Sequence, residues 1–470
     1  MKKNIIIAAI AAASALLLSV SCQKENQPES QDGINGGANI FTATIEQSIT
    51  KTTITADYKV NWTATDKINI NGKSYTAIPR TDATKSDFTA DDGEATPDDN
   101  NKYKAIYPST LYATDHFALP ATQTYSAGAF NAPMYAESET QSLTFKNICA
   151  VLAIKVTIED IATLKSIKVK ADKKLHGTFT VASTTDGYKA TIGTDGTEEV
   201  VLSSSNAITL TSEGTTFYIA IPEQEYSYLK IYLSEDGTLY KRAMITKKAV
   251  GTVSCNKIYN IDYQTNAVQL YANGPYWSTM NLGATSPQGY GNLYSWGNPT
   301  GQSGDDNYDP SFTDANYKNT EGYNINNTDH PWTKTTHDAA YNAWGGAWRM
   351  PTGRSTGEFQ KLYDACRKGS YDKTTNPSGA SASVGKGVYW CTNYDGVAGC
   401  LFCDGTNRLF FPAAGNSSSG SRSPGGSGGS YWSSTWGSSD FAYSLGFDGG
   451  SVGQGFSYRY FGFSVRPVSD

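Results

Sequence analysis

From Ala38 to about Tyr263, hydrophobic and polar positions alternate with a period of two. Ile167, Val169 and Ala171 are interleaved with Lys168 and Lys170, and Ile154, Val156 and Ile158, then Leu229, Ile231 and Leu233, repeat the rhythm. Period two puts successive side chains on opposite faces of a strand, so each run predicts a sheet with one buried and one wet face. Asn71-Gly72, Asp92-Gly93 and Asp236-Gly237 separate such runs as turns. Many short strands with frequent turns and little helix predict β-sandwich architecture. A weaker break near Ser138–Ser142 divides the stretch into two sandwiches, 38–140 and 141–263.

Beyond Tyr263 the pattern changes, which sets a further unit at 264–470. STGEFQKLYDAC (355–366) predicts a helix: Ser355 and Glu358 stand in capping-box spacing, and Phe359, Leu362, Tyr363 and Cys366 form one apolar stripe. GVYWCT (387–392) and GSYWSST (429–435) echo each other as apolar-aromatic strands, and the low-complexity run NSSSGSRSPGGSGG (416–429) predicts a loop. The stretch SYWSSTWGSSDFAYSLGF (430–447) is dense in rings. Phe441, Tyr443, Leu445 and Phe447 lie two apart and predict a core-packing face, which leaves Trp436 as a ring able to meet a ligand.

Composition agrees with this picture. With 31 Tyr, 45 Gly and 17% charged residues among 470, the chain suits strands and loops better than long helices. The net charge of −6 is dispersed, and the absence of a Lys/Arg cluster argues against nucleic acid as a partner. Residues 1–21 open with two lysines and an apolar run from Ile5 to Val20, shorter than the ~20 residues a spanning helix needs. They predict an export signal. Residues 22–37 are polar and predict a flexible linker.

The chemistry-bearing residues are few. Cys366, Cys391, Cys400 and Cys403 allow disulfides, a zinc site or buried free thiols, and Cys149 and Cys255 stand apart from them. The four histidines are scattered. The segment 298–334 is long, polar and aromatic, with Tyr308, Tyr323 and Trp332 as ligand-binding candidates. Its Asp305, Asp306 and Asp309 offer oxygen ligands to calcium without EF-hand spacing, so a solvated acidic turn competes with a metal site. No other cofactor is expected.

Resemblances to known families add to this reading. The apolar run ending at Ser21-Cys22 resembles a bacterial lipoprotein signal, which implies lipidation of Cys22 and an outer-membrane, cell-surface location. KTTITADYKVNWTATDKINI (51–70), YKAIYPS (103–109), LPATQTY (119–125), PMYA (133–136) and LTFKNICAVLAIKV (143–156), in that order, resemble the fimbrillin family. That likeness implies paired transthyretin-like β-sandwiches and assembly with other fimbrial subunits by strand addition after proteolytic processing. Lys51 and Arg80 are the basic candidates for the cleavage site. A second domain in place of a free donor arm points away from a repeating stalk subunit.

HDAAYNAWGGAWRMPT (337–352), NLYSWG (292–297), FPAAG (411–415), YWSST (431–435) and FSVRPV (463–468) resemble the FISUMP-type major paralogous domain. That implies an α+β C-type-lectin-like fold over 264–470. WRMPT before a helix is also similar to formylglycine-generating enzymes, but their GNVWEW segment and the cysteines after it are missing. On a strand, Cys400 and Cys403 would point apart. No catalytic residues are expected, and the chain is read as a non-enzyme. The function expected is a fimbrial tip or accessory adhesin whose C-terminal unit binds a host or microbial glycan or protein. The alternative is a structural or assembly (anchor) subunit without its own ligand.

Overall fold

The computed structural model describes residues 40–46, 61–113, 116–127, 130, 132–185, 187–303, 313–318, 333–418 and 421–470. The chain is mainly β, as the alternation implies. Seven strands close the first unit into a barrel, in the order Ile40–Ile45, Ser142–Asn147, Met134–Ser138, Tyr103–Tyr107, Lys67–Ile70, Lys73–Pro79 and Lys85–Ala90. Ile40–Ile45 runs parallel to Ser142–Asn147 and antiparallel to Lys85–Ala90, so both its edges are paired. Closure removes the free edges that an open sheet would present. Phe41, Ile68, Tyr75, Phe88 and Phe145 fill the barrel, and Trp62 meets Phe88, Tyr107 and Phe145 edge-on at 5.0–5.4 Å.

The second unit stacks two sheets. Ala150–Val156 lies between Thr215–Ile221 and Ile258–Asp262 in one of them. The other is nine-stranded: Trp348–Arg349, Val468–Ser469, Tyr276–Ser278, Ala267–Val268, Arg242–Ile245, Leu229–Ser234, Thr163–Ala171, Glu199–Thr209 and Thr122–Thr124. Leu152, Ile154, Val156 and Phe217 of the first sheet share a buried core with Ile167, Val169, Leu202, Ile231 and Leu233 of the second. Ile158, which follows the end of its strand, is exposed.

Strand pairing runs across both expected divisions of the chain. Ser142–Asn147 belongs to the first barrel, while Thr122–Thr124 pairs in parallel with Val201, Leu202 and Ser203 of the second unit. At residue 264 the large sheet continues unbroken, because Ala267–Val268 pairs with Arg242–Ile245 on one side and Tyr276–Ser278 on the other.

That continuity changes one expectation. Lys230 and Tyr232 occupy the face predicted to be wet, yet each is 4% exposed. The C-terminal unit covers them: Tyr276, Ala347 and Trp348 pack with Tyr232, Ala243 and Ile245. The Lys230 ammonium donates to the Asp470 carbonyl, and burial lowers its pKa to about 8. Trp348 Nε1 donates to the Thr246 carbonyl at 3.0 Å, and Lys241 pairs with Asp404 at 3.0 Å.

The C-terminal unit adds a six-stranded sheet ordered Gln302–Ser303, Asn292–Tyr294, Phe463–Ser464, Gly428–Trp436, Phe441–Asp448 and Val452–Tyr458. It also holds a three-stranded sheet, Gly387–Tyr394, Val397–Cys403 and Arg408–Pro412. The expected helix forms over Glu358–Cys366 and buries Phe359, Leu362 and Cys366. Its cap differs from the expected one. A tight turn from Arg354 to Gly357 precedes the helix, so Glu358 is its first residue and Ser355 lies outside. Thr352 supplies the reciprocal pair instead: Glu358 N–H donates to Thr352 Oγ1 at 3.0 Å, and Thr352 N–H donates to Glu358 Oε2 at 2.8 Å. The low-complexity run also contributes strands. Asn416–Ser418 pairs with Ser421–Ser423, and Ser417 and Gly462 exchange backbone hydrogen bonds of 2.9 and 2.8 Å. Backbone pairing needs no side chain, which is why composition missed it.

Candidate functional site: an open aromatic face

The motif that looks most like chemistry is architectural. Asp338 is fully buried, and its carboxylate accepts from the amides of Lys334, Ala340, Tyr341 and Met350 at 3.0–3.1 Å, tying the Ala339–Trp344 helix to the WRMPT segment. Trp348 is buried at the junction. The Arg349 guanidinium meets Glu358 bidentately at 2.9 and 2.6 Å and also reaches the Asp470 carboxylate. Burial works against its charge, but these two carboxylates raise its pKa above the ordinary arginine value. Arg349 is therefore paired, as a planar fork next to two carboxylates should be.

The surface feature that stands out lies elsewhere. Phe441–Asp448 and Val452–Tyr458 form a hairpin at the edge of the six-stranded sheet, closed by a turn in which the Asp448 carboxylate accepts from Gly450 and Ser451 N–H at 2.7 Å. Register places Phe441 opposite Tyr458, Tyr443 opposite Phe456, Leu445 opposite Gln454 and Phe447 opposite Val452, all on one face. At one end of that face Leu445 and Phe447 join a core that includes Phe359 and Leu362 of the helix. At the other end the helix no longer covers it. Phe456 is 64% exposed and Tyr458 43%, with Phe441 and Tyr443 half-buried beside them. The expectation that all four rings and aliphatics of the 441–447 stripe pack inward thus holds for only half of it.

The rings are held as a ladder. Phe441 contacts Tyr458 at 4.5 Å and Phe456 at 5.7 Å, and Tyr443 meets Phe456 at 6.0 Å. Tyr460 stacks on Tyr458 at 5.3 Å. The Arg354 guanidinium sits 5.3 Å from the Tyr443 ring, and Gln454 Nε2 donates to Gln360 Oε1 and the Arg354 carbonyl at 3.1 Å. Behind the ladder, buried Arg459 donates to Tyr317 Oη at 3.1 Å and the Ser439 carbonyl at 2.8 Å, and lies 4.8 Å from the Trp296 ring. Arg459 thereby pins the strand end that carries Tyr458. A preformed set of ring faces beside one cation and one amide can stack on a sugar ring or clasp an apolar side chain.

The other candidates fall as follows. Trp436 is half-buried and packs against the cluster of Trp296, Met350, Trp432 and Ala442, whose register puts it on the opposite face of the sheet from Tyr443. Arg80 follows the Lys73–Pro79 strand and donates to Asp87 at 3.1 and 2.5 Å. Cys22, Lys51, Asp305, Asp306, Tyr308, Asp309, Tyr323 and Trp332 lie outside the described residues. Phe456 and Tyr458 were not singled out from sequence. Their signal was the alternation of Val452, Gln454, Phe456 and Tyr458 directly after the Asp448-Gly449-Gly450 turn.

The six described cysteines are free thiols. Cys400 faces the core that holds Cys366, while Cys403 faces a second cluster with Cys391, so the two point to opposite faces as the strand period implies. Burial pushes Cys391 up to about 12 and Cys400 well above the ordinary thiol value, which opposes thiolate chemistry. Among the described residues no three metal-ligating side chains gather.

No protein-family model matches the chain, and no curated protein sequence matches it. Among solved structures it is similar to a candidate cell adhesion protein of Bacteroides uniformis, at 15% identity over 48% of this chain and 92% of that one, with a TM-score of 0.31. A candidate cell adhesion protein of Bacteroides ovatus matches at 17% identity over 48% and 91%, with a TM-score of 0.27. A fimbrial protein of Bacteroides ovatus matches at 11% identity over 93% of this chain and 100% of that one, with a TM-score of 0.21. Scores this low do not establish a shared fold.

Proposed function

We propose that this protein is a cell-surface fimbrial tip or accessory adhesin, and that its C-terminal unit binds a glycan or protein through the Phe441–Tyr443–Phe456–Tyr458 face. The observation that carries the reading is the exposure of Phe456 and Tyr458 next to each other on one pinned hairpin. The other large exposed apolar side chains among the described residues, Ile78, Ile158 and Leu239, are scattered through the first two units. Exposed rings cost solubility and are retained where they meet something. The ordered fimbrillin-like segments supply the cell-surface setting, with Cys22 as lipid anchor, the two N-terminal units as stem and 264–470 as head. Trp332, Tyr308 and Tyr323 remain proposed contributors, as does calcium at Asp305, Asp306 and Asp309.

The test is binding of the full mature chain to a glycan array and to host matrix proteins, with calcium and with chelator. Saturable binding lost in Phe456→Ala and Tyr458→Ala, but kept in Trp436→Ala, is the expected result. Silence on both surfaces overturns the reading.

A structural or assembly subunit is the second reading, and one observation favours it. Ile40–Ile45 sits between two strands and is joined to the rest of the barrel by the segment that contains Lys51. Cleavage after Lys51 would let that strand leave, opening a groove that a subunit's extended segment could fill. Capture of other fimbrial subunits by the chain only after trypsin-like cleavage would favour this role.

A further inference from the structure

Two cysteines outside the head lie together. Cys149 ends the link between the barrel strand Ser142–Asn147 and the central strand Ala150–Val156. Cys255 sits in the turn before Ile258–Asp262, the parallel neighbour of that central strand. Asn256 N–H donates to the Cys149 carbonyl at 3.2 Å, and Val151 N–H donates to the Lys257 carbonyl at 3.0 Å, so the two backbones are in register here. The bonded atoms are each two bonds from the cysteine Cα atoms, which keeps those within about 8 Å, near the roughly 4.4–6.8 Å that a disulfide spans.

Both cysteines border Tyr188. Cys149 packs in the cluster of Phe179, Ala190 and Ala220, with Tyr188 against it, and the Cys255 thiol donates to the Tyr188 carbonyl at 3.8 Å. Cys149 is buried, while Cys255 is partly open to solvent and its own amide is held by Glu223 at 2.8 Å.

We propose that Cys149 and Cys255 are a cross-linking pair, closed to a disulfide by a small-molecule disulfide such as oxidised glutathione. The Cys255 sulfur, deprotonated, attacks the oxidant's S–S bond and releases one glutathione; the Cys149 sulfur then displaces the second. Two S–H bonds and one S–S bond break, one protein S–S bond forms, and the two protons end on the two glutathione thiols. Burial, and for Cys255 also Glu223, pushes both thiols up to about 12, so closure is slow at neutral pH and faster in alkali.

The consequence is mechanical and rests on the adhesin reading. Tension between an N-terminal anchor and the head runs through every residue from 150 to 254. The cross-link carries it directly from 149 to 255, so the residues between the two cysteines are bypassed.

The full mature chain is incubated with oxidised or reduced glutathione, alkylated in denaturant and mapped by mass spectrometry. The expected product of oxidation is a peptide pair joined at Cys149 and Cys255, two hydrogens lighter, reversed by reductant and lost in Cys255→Ser. Full alkylation of both residues after oxidation overturns the proposal, as does a glutathione adduct that persists on Cys255 while Cys149 stays free. Cys149→Ser should instead trap that adduct. In pulling experiments the oxidised chain should lack about 35 nm of unfolding length, the extended span of the bypassed residues. A linked chain whose head binds nothing would sink the adhesin reading and leave the cross-link standing. A binding head on an unlinkable chain would do the reverse.

Discussion

Phe456 and Leu445 are both apolar residues on the hairpin's inner face, yet they answer to different physics. Leu445 is 1% exposed, so Leu445→Ala should cost about 2–5 kcal/mol through lost burial and the cavity left behind. Phe456 is mostly in water, so Phe456→Ala should leave stability within about 0.5 kcal/mol and affect only binding. Urea unfolding of both variants beside the binding assay separates the two roles. Lys230 makes a third case. Its folded pKa of about 8 lies below the ordinary lysine value of 10.5, so the unfolded chain holds the proton more tightly. Its destabilising contribution is therefore fully present below about pH 8 and is relieved as pH rises toward 10. Lys230→Met should stabilise the chain at pH 7 by up to about 3 kcal/mol and flatten the rise in stability between pH 8 and 10. An unchanged pH slope in the variant would refute this account.

At the scale of elements, the Glu358–Cys366 helix shows how far a pattern can be read. Its apolar stripe was legible because the 3.6-residue period is local. Its cap was not, since Thr352 reaches Glu358 only after the chain has turned at Arg354. The ion pair beneath it joins Arg349 to Glu358 and Asp470, residues separated by up to 121 positions. Arg349→Met would strand the largely buried Glu358 carboxylate and should cost about 3 kcal/mol. Arg349→Met/Glu358→Gln should recover a good part of that, which a double-mutant cycle measures. Arg459 holds the ring-bearing strand in the same non-local manner. Arg459→Ala should speed amide exchange at Phe456–Tyr458 while leaving the Leu445 end protected.

For the whole molecule, the shared nine-stranded sheet governs cooperativity. The head and the second unit exchange backbone hydrogen bonds across Ala267–Val268 and bury Trp348 between them, whereas the barrel has its own closed sheet. Calorimetry should therefore show the second unit and head melting together in one transition; separate transitions for these two would contradict this. A 264–470 fragment should unfold cooperatively but at lower temperature than in the full chain, because Tyr276 and Trp348 lose their cover.

The sequence by itself determined the strand-rich character, the buried stripes of Ile167, Val169, Leu229, Ile231 and Leu233, and the Glu358–Cys366 helix. These depend on spacing along the chain, and side-chain direction repeats with spacing. The tertiary structure alone decided which second faces are covered and which strands close a barrel. It also decided which rings of the 441–458 hairpin stay in water. Those outcomes depend on what arrives from distant positions: Lys230 is buried because the head lies on it, and Phe456 is exposed because the helix ends before reaching it.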